Sequence, residues 1–168
     1  MEPLNFPVFQ FTLRQQEGKT YVLDPARRQY VRLTPEEWVR QHVIRYLMEF
    51  LNYPLSHMAV EKKLTIHQLT RRADLLVYDQ HLNPSLLIEC KAPDVPLTNS
   101  TFRQVSAYNI RFKVPWLMIT NGKQHFAAYI HHHEKRIVWV DQVPEYGNLN
   151  KQPVNNTKKQ NTDKPGGL

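Results

Sequence analysis

Two short apolar runs, ADLLVYD (residues 73–79) and SLLIECK (residues 85–91), constrain the fold more than any other stretch of this chain. Both have the composition of β-strands, and Gln80 to Pro84 between them are turn-like, so a hairpin is the cheapest connection. With the turn centred near Leu82, Asp74 falls opposite position 90, between Glu89 and Lys91. Residues two apart on a strand share a face, so Glu89 and Lys91 project together while Cys90 points away. Asp74, Glu89 and Lys91 are therefore expected to converge on one spot.

Charged side chains at the end of otherwise apolar strands need something that offsets their desolvation. A bound cation does so. Two carboxylates suit Mg²⁺, which takes one or two acidic ligands and fills its octahedron with water and phosphate oxygens. Lys91 would then lie beside the ion, placed to hold or help deprotonate a water, or to balance charge building on a phosphate. The same residues also fit a plain surface hairpin with a cross-strand Asp74–Lys91 pair and a solvated Glu89. An aspartate followed at a distance by Glu-x-Lys is a short pattern, so the residues alone leave both readings open.

The rest of the chain supplies a frame for that hairpin. FPVFQFTL alternates apolar and polar residues, Glu17-Gly18 makes a turn and KTYVLD returns, giving an N-terminal hairpin that ends at Asp24-Pro25. Thr34 as N-cap, Pro35 at the first position and Glu37 completing a capping box then open a helix. Its buried stripe is Val39, Val43, Leu47 and Phe50. Glu36 lies near the edge of that stripe, and Arg40, four residues on, is placed to pair with it or to reach a phosphate. Both Glu36 and Glu37 also favour the positive end of the helix dipole. Asn52-Tyr53-Pro54 breaks the helix, and HMAVEKKLT reads as a strand with Glu61 facing solvent. Arg71 and Arg72 sit just before Asp74, where they would touch a phosphate backbone or shield the carboxylates.

Beyond Lys91, Pro93 and Pro96 stop the strand, and Thr98 or Asn99 caps a second helix reaching about Phe112, with Gln104 and Tyr108 on one face. VPWLMITNG is an apolar strand closed by an Asn-Gly turn, and QHFAAYIHH and RIVWVDQV give two more. A helix between consecutive strands implies a crossover onto the sheet, hence a mixed α/β core. His131, His132 and His133 cannot all face one ion from consecutive strand positions, so zinc is not expected there. Trp116 and Trp139 are assigned to core or cover. From about Tyr146 the periodicity is lost, and residues 146–168 read as a flexible basic tail.

At 168 residues with 41% hydrophobic side chains, the chain fits one domain with a sizeable core. The net charge is +7; the last 18 residues hold four lysines against one aspartate, which leaves +4 on the body. That excess is compatible with a polyanionic partner. The single Cys90 excludes an intrachain disulfide and makes a reducing cytoplasm the expected compartment. No charged-then-apolar leader occurs at residues 1–11 and no apolar run approaches about 20 residues, so neither export nor a membrane span is expected.

In their order and spacing, LTPEEWVRQHVIRYL, the VEK strand, RRADLLVYD, LLIECKAP, QVSAY and ITNG resemble the N-terminal nuclease domain of type I restriction enzyme R subunits, within the PD-(D/E)xK nuclease superfamily. The resemblance runs from about Asp24 to Gly122, and departs at Ala73, where the superfamily name has proline. It implies a restriction-endonuclease-like α/β core, a mixed central β-sheet flanked by helices, over residues 1–145, with residues 1–33 as an added N-terminal hairpin. It further implies an Mg²⁺-dependent DNA endonuclease, Mn²⁺ substituting, in which Asp74, Glu89 and the backbone carbonyl of Cys90 hold metal while Lys91 positions or activates water. Glu36, with Glu37 as the substitute, is nominated as the carboxylate that the first core helix adds to such a site. Gln104 and Tyr108 match a Q-x-x-x-Y motif found beside these sites, Gln104 as a site residue and Tyr108 as a DNA contact. Arg40 and Arg72 are the other candidates for touching DNA. Glu61 resembles a recurring family glutamate.

DNA is the implied partner, with a helicase, translocase or specificity partner, or a second copy of the chain, supplying selectivity. No G-x-x-x-x-G-K-[ST] loop occurs, so ATP hydrolysis by this chain is unsupported; either a stand-alone small nuclease or the N-terminal domain of a longer subunit is expected, the tail favouring the former. The rival class is a nucleic-acid-binding or scaffold module that keeps the nuclease fold without turnover. A second rival is an enzyme acting on RNA or on branched or damaged DNA.

Overall fold

Three short strands open the computed structural model of the chain, which describes residues 1–66 and 69–153, with backbone alone for residues 64–66, 69–71, 108, 110 and 111. These strands, β1 (Leu13–Gln16), β2 (Lys19–Asp24) and β3 (Gln29–Arg32), form an antiparallel sheet of their own. The expected N-terminal hairpin is thus a three-stranded sheet, because QYVR returns along KTYVLD after the turn at Asp24. Of FPVFQFTL, only Leu13 enters β1. Phe6, Phe9 and Phe11 instead lay their rings against His42 on the following helix, and that docking replaces strand pairing.

The helix, α1 (Pro35–Phe50), starts on Thr34 as the sequence requires, the Thr34 side chain accepting from the Glu37 N–H. Its buried stripe is Val39, Val43, Ile44 and Leu47, whereas Phe50 is left half exposed and stacks on Tyr46. After it comes a six-stranded sheet of β4 (Met58–Ile66), β5 (Leu69–Tyr78), β6 (Pro84–Cys90), β7 (Trp116–Thr120), β8 (His125–His131) and β9 (Arg136–Val140), in that spatial order. Only β6 and β7 pair parallel, and α2 (Asn99–Phe112) makes the crossover between them. Thr98 and Thr101 cap α2 reciprocally, and Lys113 ends it in a left-handed conformation at φ 55°. The mixed α/β architecture read from the sequence is the one the chain adopts.

Both faces of the sheet are covered, which is why β5 and β6 read as continuous apolar runs rather than alternating ones. Leu75, Val77, Leu86 and Ile88 pack with Val39, Val43 and Leu47 on the α1 side. Leu76, Leu87, Leu117 and Ile119 pack with Phe102 and Val105 on the α2 side. At one end of β7 the N-terminal segment is pinned, Asn5 N–H donating to Gly122 O at 2.7 Å. Gly122 has φ +85°, a backbone conformation that favours glycine, and a Cβ there would sit 2.7 Å from the end of the Leu4 side chain, which would have to shift.

Two expectations are corrected. The β5–β6 ladder pairs Leu75 with Ile88 and Leu76 with Leu87, so continuing it sets Asp74 opposite Glu89 and not opposite position 90. The cause is an irregularity between Val77 and Tyr78, followed by a turn that Asp79 organises by accepting the His81 and Asn83 N–H groups at 2.8 and 2.9 Å. The packed body also extends past residue 146. Tyr146–Asn148 form a 3-10 turn, Leu149 is buried, and Trp116 Nε1 donates to Leu149 O at 2.9 Å. Residues 154–168 of the expected tail lie outside the described residues. Among the described residues no helix is long and apolar enough to cross a membrane.

Candidate active site

Three adjacent strands each bring a carboxylate to the same level of the sheet. On the β4–β5 ladder, Val60 pairs with Leu75 and Lys62 with Ala73, which leaves Glu61 facing Asp74 across an irregular step. Glu61 has φ 52°, a left-handed backbone that a residue with a Cβ rarely adopts. With Glu89 next on β6, Glu61, Asp74 and Glu89 form a row across the strands. Like charges at that spacing repel, and the arrangement holds only because cations are built in.

The most buried of these is Arg40 on α1, whose side chain is only 5% exposed. Its Nη2 donates both to Asp74 Oδ1 at 2.8 Å and to Glu36 Oε1 at 3.0 Å, and its Nη1 donates to Glu37 Oε2 at 2.5 Å. The second oxygen of Asp74 accepts the backbone N–H of Cys90 at 2.8 Å, so Asp74 is fixed by helix and strand together. On the far side, Lys91 Nζ donates to Glu89 Oε1 at 2.9 Å. Glu89 and Lys91 share a strand face, as their spacing requires, while Cys90 is buried in the core on the α1 side.

Electrostatics ties these groups into one unit. Burial pushes the Glu36 carboxyl up and the charge of Asp74 adds to that, against the pull of Arg40 and Lys91. Burial would lower Lys91, but the hydrogen bond and charge of Glu89, with Asp74 and Glu36 behind, outweigh it and raise the group, so it is an ammonium here. Arg40 likewise is raised, burial being overcome by Asp74 and Glu37. Glu36 therefore joins Asp74 and Lys91, and of the two helix carboxylates it is the one at the cluster's open edge, 44% exposed.

Glu37 does something the capping box does not describe. Thr34 accepts the Glu37 N–H, but the Glu37 carboxylate turns inward, taking Arg27 Nη2 and Arg40 Nη1, both at 2.5 Å, and Gln41 Nε2 at 2.9 Å. Arg27, from the β2–β3 turn, also reaches Glu61 Oε2 at 3.0 Å and Asp24 Oδ2 at 2.7 Å. Arg72 closes the network on the exposed side with a 2.8 Å contact to Glu61. Glu61 is accordingly an ion-paired residue and not the solvated strand position expected of it.

Asp24 and Arg27 went unrecognised as members of the cluster, which Gln41 also joins through Asp24 and Glu37. The first two look like ordinary turn residues, and only their tertiary contacts reveal them. Of the remaining candidates, Gln104 is exposed on α2 and Tyr108 stands one helical turn further along, its side chain outside the description. No bond described for the cluster includes Gln104.

Among the described residues the cluster brings together the carboxylates Asp24, Glu36, Glu37, Glu61, Asp74 and Glu89 and the cations Arg27, Arg40, Arg72 and Lys91. The carboxylate oxygens are hard donors of the kind a divalent cation prefers. Among the described residues no three His, Cys, Asp or Glu side chains stand at ligand spacing around one point. Glu36 and Asp74 share the Arg40 Nη2, and Glu89 holds Lys91.

Residues 35–144 match the family of the type I restriction enzyme R protein N terminus. A solved structure described as a fragment of an HsdR subunit of a type I restriction enzyme, from Vibrio vulnificus YJ016, is similar at a TM-score of 0.49 and 17% identity, over 70% of this chain and 25% of that one. The chain thus covers about a quarter of that fragment. No curated protein matches it.

Proposed function

The chain belongs to the family of type I restriction enzyme R protein N termini, and from that membership we propose that it is a metal-dependent endonuclease hydrolysing DNA phosphodiester bonds, with Mg²⁺ as cofactor and Mn²⁺ substituting. The observation that carries this reading is the convergence of Asp74, Glu89, Glu36 and Lys91 in one cluster. Asp74, Glu89, the carbonyl of Cys90 and Glu36 would hold the ion. When bound, it polarises the scissile phosphate and offsets charge on the leaving oxygen.

The chain's own groups do the rest. Lys91, anchored on Glu89, positions the attacking water and as an ammonium balances charge on the phosphate. Arg40 holds Asp74 in one orientation and relieves its repulsion with Glu36. Arg72, on the exposed rim, and Gln104 and Tyr108 on α2 are the groups proposed to arrange the DNA strand. A site of this kind contacts phosphates more than bases, so weak sequence preference and salt-sensitive binding follow. Selectivity then comes from a translocase or specificity partner, or from a second copy.

The test incubates supercoiled, linear and single-stranded DNA with the protein in Mg²⁺ or Mn²⁺, comparing wild type with Lys91→Ala. Metal-dependent cleavage by the wild type, slowed about 10²-fold or more in Lys91→Ala, is the expected result. Equal cleavage by both proteins removes the chemistry from this site. Cleavage by neither, with DNA binding retained, favours a module that binds nucleic acid without turnover.

A further inference from the structure

The family match begins at residue 35, yet the side chain at the centre of the charge cluster comes from outside it. Arg27 lies in the turn between β2 and β3, and its guanidinium joins three carboxylates on three different elements: Asp24 at 2.7 Å, Glu37 at 2.5 Å and Glu61 at 3.0 Å. Its approach is fixed from behind. Asp24 is fully buried and accepts the Ala26 and Arg27 N–H groups at 2.7 and 2.8 Å, as well as Gln41 Nε2 at 2.8 Å. The turn therefore aims Arg27 at α1.

From Arg27 the contacts lead without a break to Asp74. Arg27 fixes Glu37 Oε1, Glu37 Oε2 fixes Arg40 Nη1, and Arg40 Nη2 spans Glu36 and Asp74. Arg40 has no anchor of its own along the stem, since its Nε is buried without a partner among the described residues. Its position is set by the carboxylates around the fork. A second branch runs from Arg27 to Glu61, whose left-handed backbone marks the irregular step facing Asp74. A strained residue persists where its surroundings over-determine it, and Arg27 and Arg72 supply that here.

We infer that Arg27 is a positioning residue for the proposed nuclease centre, acting through Glu37 and Arg40 to set Asp74 and Glu36, so that the N-terminal sheet is a working part of the site. This rests on the nuclease reading. A guanidinium fork is suited to the task because it can hold several carboxylate oxygens in fixed directions, which a lysine cannot. Displacing a metal-binding carboxylate by about 1 Å is enough to cost on the order of 10²-fold in rate.

The experiment measures Mn²⁺ binding by calorimetry and cleavage of supercoiled DNA for wild type, Arg27→Met, Glu37→Gln and the double variant, each checked for cooperative thermal unfolding. The inference expects Arg27→Met to lower kcat about 10²-fold with KM for DNA changed less than about threefold, and to weaken Mn²⁺ binding. The double variant should lose no more than the worse single one, because both act along one line. Arg27→Lys carries the same expectation of a lowered kcat should Arg27→Met fail to fold. Wild-type kcat and Mn²⁺ affinity in either folded Arg27 variant, or additive losses in the double, overturn the inference and leave the nuclease reading intact. Absence of Mn²⁺ binding and cleavage in the wild type overturns both.

Discussion

Strands β5 and β6 are each divided in two. Leu75, Leu76 and Val77 face Leu86, Leu87 and Ile88 in a stretch with no measurable exposure, and one register step further the pairing residues are Asp74 and Glu89, with Lys91 beyond. In the first half every buried side chain stabilises the fold, by about 1.5–3 kcal/mol for a Leu, Ile or Val. In the second half each ion removed from water costs several kcal/mol, and attraction to Arg40 or Lys91 offsets this only while the geometry is kept. The apolar half holds the sheet together. The ionic half costs the sheet stability, and it is where the proposed chemistry is placed.

Substitutions on either side of that step should separate the two halves. Asp74→Asn keeps an acceptor for the Cys90 N–H and leaves Arg40 paired with Glu36 and Glu37. Cleavage is expected to fall about 10³-fold, roughly 4 kcal/mol of transition-state stabilisation, while the stability seen in urea denaturation shifts by only about 1 kcal/mol. A loss of stability matching the loss of rate would dissolve the distinction. Ile88→Ala, one residue from Glu89, should do the reverse. Its cavity should cost about 2–5 kcal/mol in the same denaturation, with kcat of the folded protein unchanged. A large drop in kcat there would mean that packing and catalysis are not separable along β6.

A smaller effect sharpens the contrast by asking what burial does to a titratable ring that lacks a charged partner. His42 sits among Phe9, Phe11 and Trp38, and burial lowers its proton affinity, the Trp38 carbonyl opposing this in part. His125 is lowered by burial too, against the Asn5 carbonyl, and both rings touch Phe6. A lowered folded-state value means that the unfolded chain takes up the proton first as the medium is acidified. The stabilising contribution is therefore present above pH 6.5, the ordinary histidine value, and is lost as pH falls through the folded-state value. The midpoint of urea unfolding should decline between neutral pH and pH 5, and His42→Phe should flatten that decline. An unchanged slope in the variant would assign the acid sensitivity to other groups.

How much of this could be read from the residues follows from the range of the forces involved. Strand and helix identities were legible because composition and periodicity are local: Thr34-Pro35 starts α1, the prolines after Lys91 end β6, and α2 ends at Phe112. The convergence of Asp74, Glu89 and Lys91 was legible because a hairpin relates positions by simple spacing. Its register was off by one, since the irregularity at Val77 and the Asp79 turn depend on how the turn hydrogen-bonds and not on the runs themselves. Arg27 and Asp24 were illegible for a different reason. Nothing local distinguishes an arginine in a turn that faces water from one that faces three carboxylates. Glu37 was misread because a capping box and an inward ion pair place the same residue type at the same position. The late packing of Leu149 was hidden inside a polar segment whose few apolar residues find their sites only on the folded body.

Cys90 gives the molecule a built-in reporter. Its thiol is sealed between Asp74's strand and α1, burial holds its proton on, and its own N–H is the donor that restrains Asp74 Oδ2. A reagent that alkylates thiols can reach this sulfur only when the strands part locally, and that same excursion releases the aspartate. The slow rate of labelling in the native protein therefore counts how often the centre comes apart while the rest of the sheet stays folded. Loading with a divalent cation should slow it in proportion to occupancy.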